Sequence, residues 1–355
     1  MNPDLDSSAP IRPGEGLPVA ALEAYLARYM PEASRPLTVE QFLHGHSNLT
    51  YLLCSGGKEF VLRRPPFGNQ VKTAHDMGRE FRVLSKLSGV YPPAPRPFIY
   101  CDDIGVLGAP FYVMERRRGV VLRRADNPGL SIDSPTARRL SEALIDNLAL
   151  LHALDYKAAG LADLGKPEGY VTRQVSGWIT RYTNARTDPL PEMDRIAAWL
   201  TEHIPTESGA ALVHNDFKYD NLVLDPNNLT RVVAVLDWEM ATVGDPLMDL
   251  GTTMGYWVEP GDPASIRAGA FGPTALAGSL TRQELVARYA DKSGHDVSGM
   301  LFYYCFGLYK IAVIIQQIYA RYVRGHTRDA RFARLNELVA ALCQTALLAA
   351  QRGRF

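Results

Sequence analysis

The stretch His214-Asn215-Asp216-Phe217-Lys218-Tyr219-Asp220-Asn221, followed by Leu236-Asp237-Trp238-Glu239, constrains this chain more than any other. It sets an aspartate, an asparagine five residues on, and a second aspartate at the end of an apolar run. Short apolar runs, Ala211-Leu212-Val213 and Leu222-Val223-Leu224, bracket the first motif and read as strands. A further strand over residues 231–236 delivers Asp237 beside them, and Asp225-Pro226-Asn227-Asn228 between the two is a turn by composition.

These are the groups that phosphoryl transfer from a Mg-nucleotide asks for, because that reaction needs mainly positioning and charge neutralisation. One carboxylate must accept a hydrogen bond from the attacking hydroxyl, and Asp216 is the candidate. Mg²⁺ prefers oxygen ligands and keeps several waters, so one carboxylate and one amide oxygen suffice; Asp237 and Asn221 are the candidates. Lys218, two residues past the base, is placed to reach the γ-phosphate. A lone Asp in a loop is usually a turn or cap residue; the joint pattern carries the chemistry.

At these residues the chain resembles the aminoglycoside phosphotransferase family, within the wider kinase-like fold, and is most similar to its acyl-CoA dehydrogenase-associated branch. The motifs are the two above together with Gly244-Asp245-Pro246-Leu247-Met248-Asp249-Leu250-Gly251, and they support alignment from about Leu37 to the end. The resemblance implies an α+β, two-lobed, protein-kinase-like fold: a small lobe with an antiparallel sheet and one helix, a larger, mostly helical lobe, and ATP (or GTP) with Mg²⁺ in the cleft between. It implies Asp216 as catalytic base and Asn221 and Asp237 as Mg ligands, with Asp245 and Asp249 bracing the catalytic loop. The expected division is residues 1–36 as a lead and first helix, 37–115 as the smaller lobe, and 116–355 as the larger lobe with the acceptor site.

The upstream half fits that outline. Residues 38–43, 49–54 and 59–63 alternate like strands joined by tight turns. The first turn, His44-Gly45-His46-Ser47-Asn48, sits where a phosphate-covering loop belongs; with one glycine it reads equally as an ordinary hairpin turn. Its backbone N–H groups, Ser47 and Asn48 are the candidate phosphate contacts. Phe60-Val61-Leu62-Arg63 lies where kinases carry Val-Ala-Ile-Lys, so Arg63 replaces the usual lysine; it keeps the charge but brings a larger fork. Arg64 faces the other side of the strand. Residues 73–87 read as a helix with Met77, Phe81, Leu84 and Leu87 at helical spacing, and Glu80 on it is the candidate partner of Arg63. Pro110-Phe111-Tyr112-Val113-Met114-Glu115 reads as a strand, with Met114, Glu115 and Arg116 as the adenine-edge segment by resemblance.

The remainder is mainly helical: residues 134–154, 170–182 and 193–203, a helix opened by Asp245-Pro246, and two long helices near 299–323 and 328–351. Residues 260–278, rich in Gly, Pro and Ala, read as a mobile loop on the acceptor side. The 299–323 helix is apolar nearly all round, but Lys310 interrupts it, which favours a core helix over a membrane span. Tyr303, Tyr304 and Tyr309 read as core residues.

Zero formal net charge argues against a general nucleic-acid binder, and four scattered cysteines argue against a disulfide framework or zinc site. Residues 1–18 are polar and lack an apolar signal-peptide core, so the expected location is cytoplasmic. From residue 301 onward there are eight Lys or Arg and two acids, with Arg321, Arg324, Arg328 and Arg331 around one helix junction. A basic acceptor surface favours an anionic alcohol, a hydroxyacyl-CoA by branch resemblance, over a polycationic aminoglycoside, with Arg321 and Arg324 as candidate contacts; the alternative is a solvated basic face. Other open readings are an aminoglycoside, amino-alcohol or sugar kinase, and a catalytically silent nucleotide-binding protein. A protein kinase fits less well: no Ala-Pro-Glu segment is present, and Trp-Glu follows Asp237.

Overall fold

The computed structural model describes residues 7–31, 33, 36–43, 48–67, 76–123, 130–327 and 329–355. Ser47 and most of its turn, residues 73–75 and Arg328 lie outside the described residues. In chain order the elements are α1 (Val19–Tyr29), β1 (Leu37–Phe42), β2 (Leu49–Ser55), β3 (Lys58–Arg64), α2 (Met77–Leu87), β4 (Pro97–Cys101), α3 (Ile104–Leu107) and β5 (Phe111–Glu115). Next come α4 (Ser134–His152), α5 (Tyr170–Ala185), α6 (Pro191–Glu202), β6 (Ala211–Val213), β7 (Leu222–Asp225), β8 (Asn228–Val235), β9 (Thr242–Gly244) and α7 (Pro246–Tyr256). The last are α8 (Ala264–Ala268), α9 (Arg282–Ser293), α10 (Met300–Val323) and α11 (Leu335–Arg352). They form two compact units, Met1–Val121 with Leu222–Ala241, and Leu122–Asn221 with Thr242–Phe355.

The first unit is built on an antiparallel sheet in the order β1-β2-β3-β5-β4. Gly56 and Gly57, both at positive φ, make the two-residue turn that pairs Ser55 with Lys58 and so fixes the β2–β3 register. That register sets Arg63 opposite Thr50 and, on the next strand, Tyr112. Leu22 and Leu26 of α1 pack with Tyr51, Leu53, Phe60, Leu62, Phe111 and Val113 into one core cluster, so the first helix belongs to this unit and is not a separate lead. Asp76 caps α2 by accepting from the Arg79 N–H, and Glu80 lies on the buried face with Met77, Val83, Leu84 and Leu87. The β7–β8 hairpin belongs here too, extending the unit beyond the expected 37–115 segment. Val120 and Leu224 exchange two backbone hydrogen bonds of 2.8 Å. A Cβ on Gly119 would lie 2.3 Å from the Leu224 carbonyl oxygen, so the pairing needs glycine there.

The second unit is mostly helical, with one small sheet, β6–β9, among the described residues. Asp245 caps α7 by accepting from the Leu247 N–H, and Pro246 takes the first turn, as expected. All of α7 is buried. It meets α10 backbone to backbone: a Cβ on Gly307 would lie 2.0 Å from the Gly251 carbonyl oxygen, and one on Gly251 2.2 Å from that of Tyr303. Only glycines allow this approach. The apolar window of α10 is long enough to cross a membrane but is 78% buried within the protein, and Tyr303, Tyr304 and Tyr309 are core residues.

Residues 260–278, expected as a mobile loop, contain the short α8, bury Ile266 and Thr274, and pack Gly272 against Tyr219. One expectation is corrected here. The 328–351 helix is divided, because Asp329 accepts from the Arg331 N–H and caps a separate 3-10 turn at Ala330–Phe332 before α11 begins.

Candidate active site

In the second unit, β6 runs directly into the His214–Asn221 loop, which ends in a 3-10 turn, Tyr219–Asn221. Asn215 stands at φ 67 and, in the other unit, Asp237 at φ 66; they are the non-glycine residues at positive φ among the described residues. Strained backbone of this kind persists where the surroundings over-determine it, commonly at functional sites.

The surroundings of Asn215 do so. Asp249, fully buried, accepts the backbone N–H of His214 at 2.6 Å and of Asn215 at 2.8 Å. His152 Nε2 lies 3.2 Å from the same carboxylate and Nδ1 2.7 Å from the Tyr289 hydroxyl. Burial alone would raise the Asp249 pKa; the His152 hydrogen bond and charge, with the His214 contacts, outweigh it and hold it below the ordinary carboxylate value. The bracing role expected of Asp249 is thus visible. Asp245 does something else: it holds the N–H and hydroxyl of Ser208 at 2.7 and 2.6 Å and caps α7.

Asp216 presents its carboxylate to Lys218 Nζ at 2.9 and 3.0 Å and to the Asn221 Nδ2 at 2.8 Å. Asn221 Nδ2 also donates to the Asp216 carbonyl, at 2.8 Å. The loop is thereby closed on itself, and the Asn221 amide oxygen is left as the atom able to take a metal ion. Burial pushes the Asp216 pKa up, but Lys218, together with His214 and the Tyr256 hydroxyl, outweighs it, and the net value is lowered. The Asp216 carboxylate is therefore ionised at neutral pH. Lys218 sits 4.6 and 4.9 Å from the ring centroids of Tyr256 and Phe271, an aromatic cradle for its ammonium. In this state Lys218 is the counter-ion of Asp216, a contact its expected phosphate role did not include. Asp220, beside it, is pushed up to about 6 by burial, an effect that Lys218 and Arg123 only partly offset.

In the first unit, Arg63 on β3 is bonded by one amino group to Glu80 and by the other to Asp237, at 2.9 Å. The expected Arg63–Glu80 pair is present, and Glu80 also accepts the Trp238 N–H at 3.1 Å. Burial would lower the Arg63 pKa, yet the Glu80 and Asp237 carboxylates hold it well above its ordinary value. Arg64 points away, with a 2.9 Å bond to the Leu107 carbonyl and its guanidinium over Phe67. Asn48 is buried and donates to Glu239 at 2.7 Å. Met114 is buried in β5, the Glu115 N–H is bonded to the Arg96 carbonyl, and the Arg116 guanidinium lies 4.7 Å from the Phe42 ring centroid.

Each unit carries one oxygen donor of the kind that Mg²⁺ takes. Asp237 is 29% exposed with one oxygen taken by Arg63, and Asn221 offers an amide oxygen. Both are hard oxygen ligands. Among the described residues no three His, Cys, Asp or Glu side chains gather as an all-protein cage.

Arg321 and Arg324 lie at the exposed end of α10. Arg324 donates to the carbonyls of Asn184 and Arg186, and Arg331 is paired with Asp329. The structure does not bring these arginines to Asp216: Arg321 is eleven residues from Lys310, which touches the His214–Asn221 loop, about 16 Å along a helix axis. Lys310, His152, Tyr170 and Tyr256 around the loop escaped the sequence reading. Only Lys310 left a signal there, as a single charge inside an apolar helix.

Residues 38–282 match the sequence pattern of the phosphotransferase enzyme family. The chain is 34% identical over 349 residues to acyl-CoA dehydrogenase family member 11 of Rattus norvegicus, a match covering 96% of this chain and 44% of that protein. The chain thus spans less than half the length of the curated relatives it matches. Among solved structures it is similar to a Ralstonia eutropha protein provisionally described as an aminoglycoside phosphotransferase, with TM-score 0.80, 32% identity and coverage of 95% and 99% of the two chains. It shares its fold with choline kinase from Cryptosporidium parvum, with TM-score 0.65 at 12% identity over 94% and 97% of the chains. The α+β, two-lobed architecture is therefore kinase-like.

Proposed function

The chain belongs to the phosphotransferase enzyme family, and on that premise we propose that it transfers the γ-phosphoryl group of ATP, or GTP, to the hydroxyl of a small molecule with the help of Mg²⁺. The observation that carries the reading is the Asp216 carboxylate, kept ionised and fixed by Asn221 Nδ2 while a strained, braced backbone aims it. Asp216 accepts the acceptor's proton as its oxygen forms a bond to the γ-phosphorus. The bond to the β-phosphate oxygen breaks, and ADP leaves. Asn221 and Asp237 would hold Mg²⁺, which when bound neutralises phosphate charge. Arg63 supplies a fixed positive charge for the α- and β-phosphates, and Glu80 orients it. Lys218 exchanges the Asp216 carboxylate for the oxygens of the transferring group.

The acceptor we propose is an anionic alcohol, a hydroxyacyl-CoA first among them. Two things support it: the similarity to proteins named for acyl-CoA, and the basic character of the end of α10 and of the segment after it. Arg321 lies so far along α10 from the loop that an acceptor reaching both must be long, as a CoA thioester is. The contact of Arg63 with Asp237 favours a second reading, a nucleotide-binding protein without transfer, in which that pair stays closed. A nucleotide-consumption screen over hydroxylated metabolites, including CoA thioesters, sugars, amino alcohols and aminoglycosides, decides, with Asp216→Asn as control. Acceptor-dependent ADP release by the wild type alone supports transfer. Nucleotide binding with no acceptor-dependent release from any compound supports the second reading.

A further inference from the structure

We propose that Lys310 is a positioning residue for the base, its buried ammonium gripping the Asn215 carbonyl and so holding the strained backbone that aims Asp216. The inference rests on the phosphotransferase reading of Asp216. Lys310 is 1% exposed in the middle of α10. Its Nζ donates to the Asn215 carbonyl at 2.7 Å and approaches the Asn215 Oδ1 at 3.4 Å and the Thr252 hydroxyl at 3.5 Å. The Trp178 ring centroid is 5.6 Å away.

Asn215 is held on both sides by opposite charges. Its N–H goes to the Asp249 carboxylate and its carbonyl to the Lys310 ammonium, while its side-chain amide meets the Tyr170 hydroxyl at 3.2 Å. The next residue is the base. Asparagine tolerates φ 67 better than other side chains, but still at a cost that its surroundings must offset, so releasing the carbonyl loosens the peptide that carries Asp216. A well-packed apolar side chain would serve the α10 core at least as well as a buried cation. The one strong bond this cation makes is to the catalytic loop. The Gly251–Gly307 contact explains how it gets there: by bringing α10 against α7 it places Lys310, one turn past Gly307, beside the loop.

The charge itself can be titrated. The groups facing Lys310 are Asp249 on α7, Asp216 and Lys218 on the loop, and Arg181 and the Tyr170 phenol on α5. Burial dominates and lowers its pKa from 10.5 to about 8. A lysine depressed in the folded state opposes folding below that value, and its contribution to stability rises between about 8 and 10.5. The grip on Asn215 weakens over the same range. Turnover and stability should therefore move in opposite directions there, which a purely structural lysine would not produce.

The test compares wild type with Lys310→Met. Backbone hydrogen exchange over residues 211–221 should become roughly 10-fold faster in the variant while α4 and α11 are unchanged. Turnover should fall about 30-fold or more with nucleotide Kd changed less than about threefold, the signature of lost alignment. Unaltered exchange over 211–221, or turnover within about threefold of wild type, overturns the proposal. If neither protein transfers phosphate, exchange alone decides the Lys310 role, and the kinase reading fails separately. Should Lys310→Met not fold, the wild-type pH profile replaces it: a decline in turnover as pH rises through about 8 supports the proposal, and a flat profile to about pH 10 overturns it.

Discussion

The guanidinium of Arg63 lies 2.9 Å from the carboxylate of Asp237, and its other amino group is bonded to the buried Glu80. One cation thus neutralises two acids, and one of those is the proposed metal ligand. Arg63 engages one oxygen of Asp237, and the proposed Mg²⁺ would be held through the other, beside the guanidinium.

Arg63→Ala should weaken ATP binding while leaving adenosine binding nearly unchanged, and Arg63→Lys should recover part of the loss because the charge returns without the fork. Stability should fall by about 3 kcal/mol in Arg63→Ala, since Glu80 is left buried without its partner. Calorimetry with both ligands and a denaturant titration check this. Matching losses for ATP and adenosine would mean the residue is structural only.

For the metal, Asp237→Ala should remove Mg-stimulated nucleotide binding more completely than Asn221→Ala, because a charged ligand contributes more than a neutral one. Calorimetry with and without Mg²⁺ distinguishes them. Undiminished Mg stimulation in Asp237→Ala would transfer the ion to other ligands.

Much of this site was legible in the sequence. The spacing from Asp216 to Asn221 and Asp237 encodes a loop and a hairpin, which are local structures, and strand alternation with two glycines at 56 and 57 pinned Arg63 to its register. Helical spacing put Glu80 on the buried face of α2. What remained hidden was non-local. The partner of β6, β9, is only three residues long, too short for a period to show. The grip of Lys310 on Asn215 joins residues 95 apart and depends on a helix crossing set by Gly251 and Gly307, which no local pattern announces. Asp245 and Asp249 share one motif yet brace different segments, a distinction that only the packed structure makes.

Asp249→Asn should cost about 3 kcal/mol, because two buried N–H groups lose a charged acceptor. The pH dependence has a definite sign. The folded-state pKa of Asp249 is depressed, so its contribution is complete above the unfolded value near 4 and is lost as pH falls through the folded value. Denaturant midpoints between about pH 2 and 6 should show this acid limb in wild type and a weaker one in Asp249→Asn. Identical limbs would remove Asp249 from this role.

Charge reversal at the exposed end of α10, Arg321→Glu with Arg324→Glu, should raise the acceptor KM and leave the ATP KM nearly unchanged if the acceptor is anionic. The acceptor KM of wild type should also rise with salt. An acceptor KM indifferent to both changes would make this a solvated basic face.

The most direct measurement is a single-turnover comparison of wild type and Asp216→Asn with Mg-ATP and an active acceptor. The account predicts that nucleotide affinity stays within a few fold while transfer slows by at least ~10²-fold, the scale of a positioned proton acceptor. Near wild-type transfer by Asp216→Asn would contradict it.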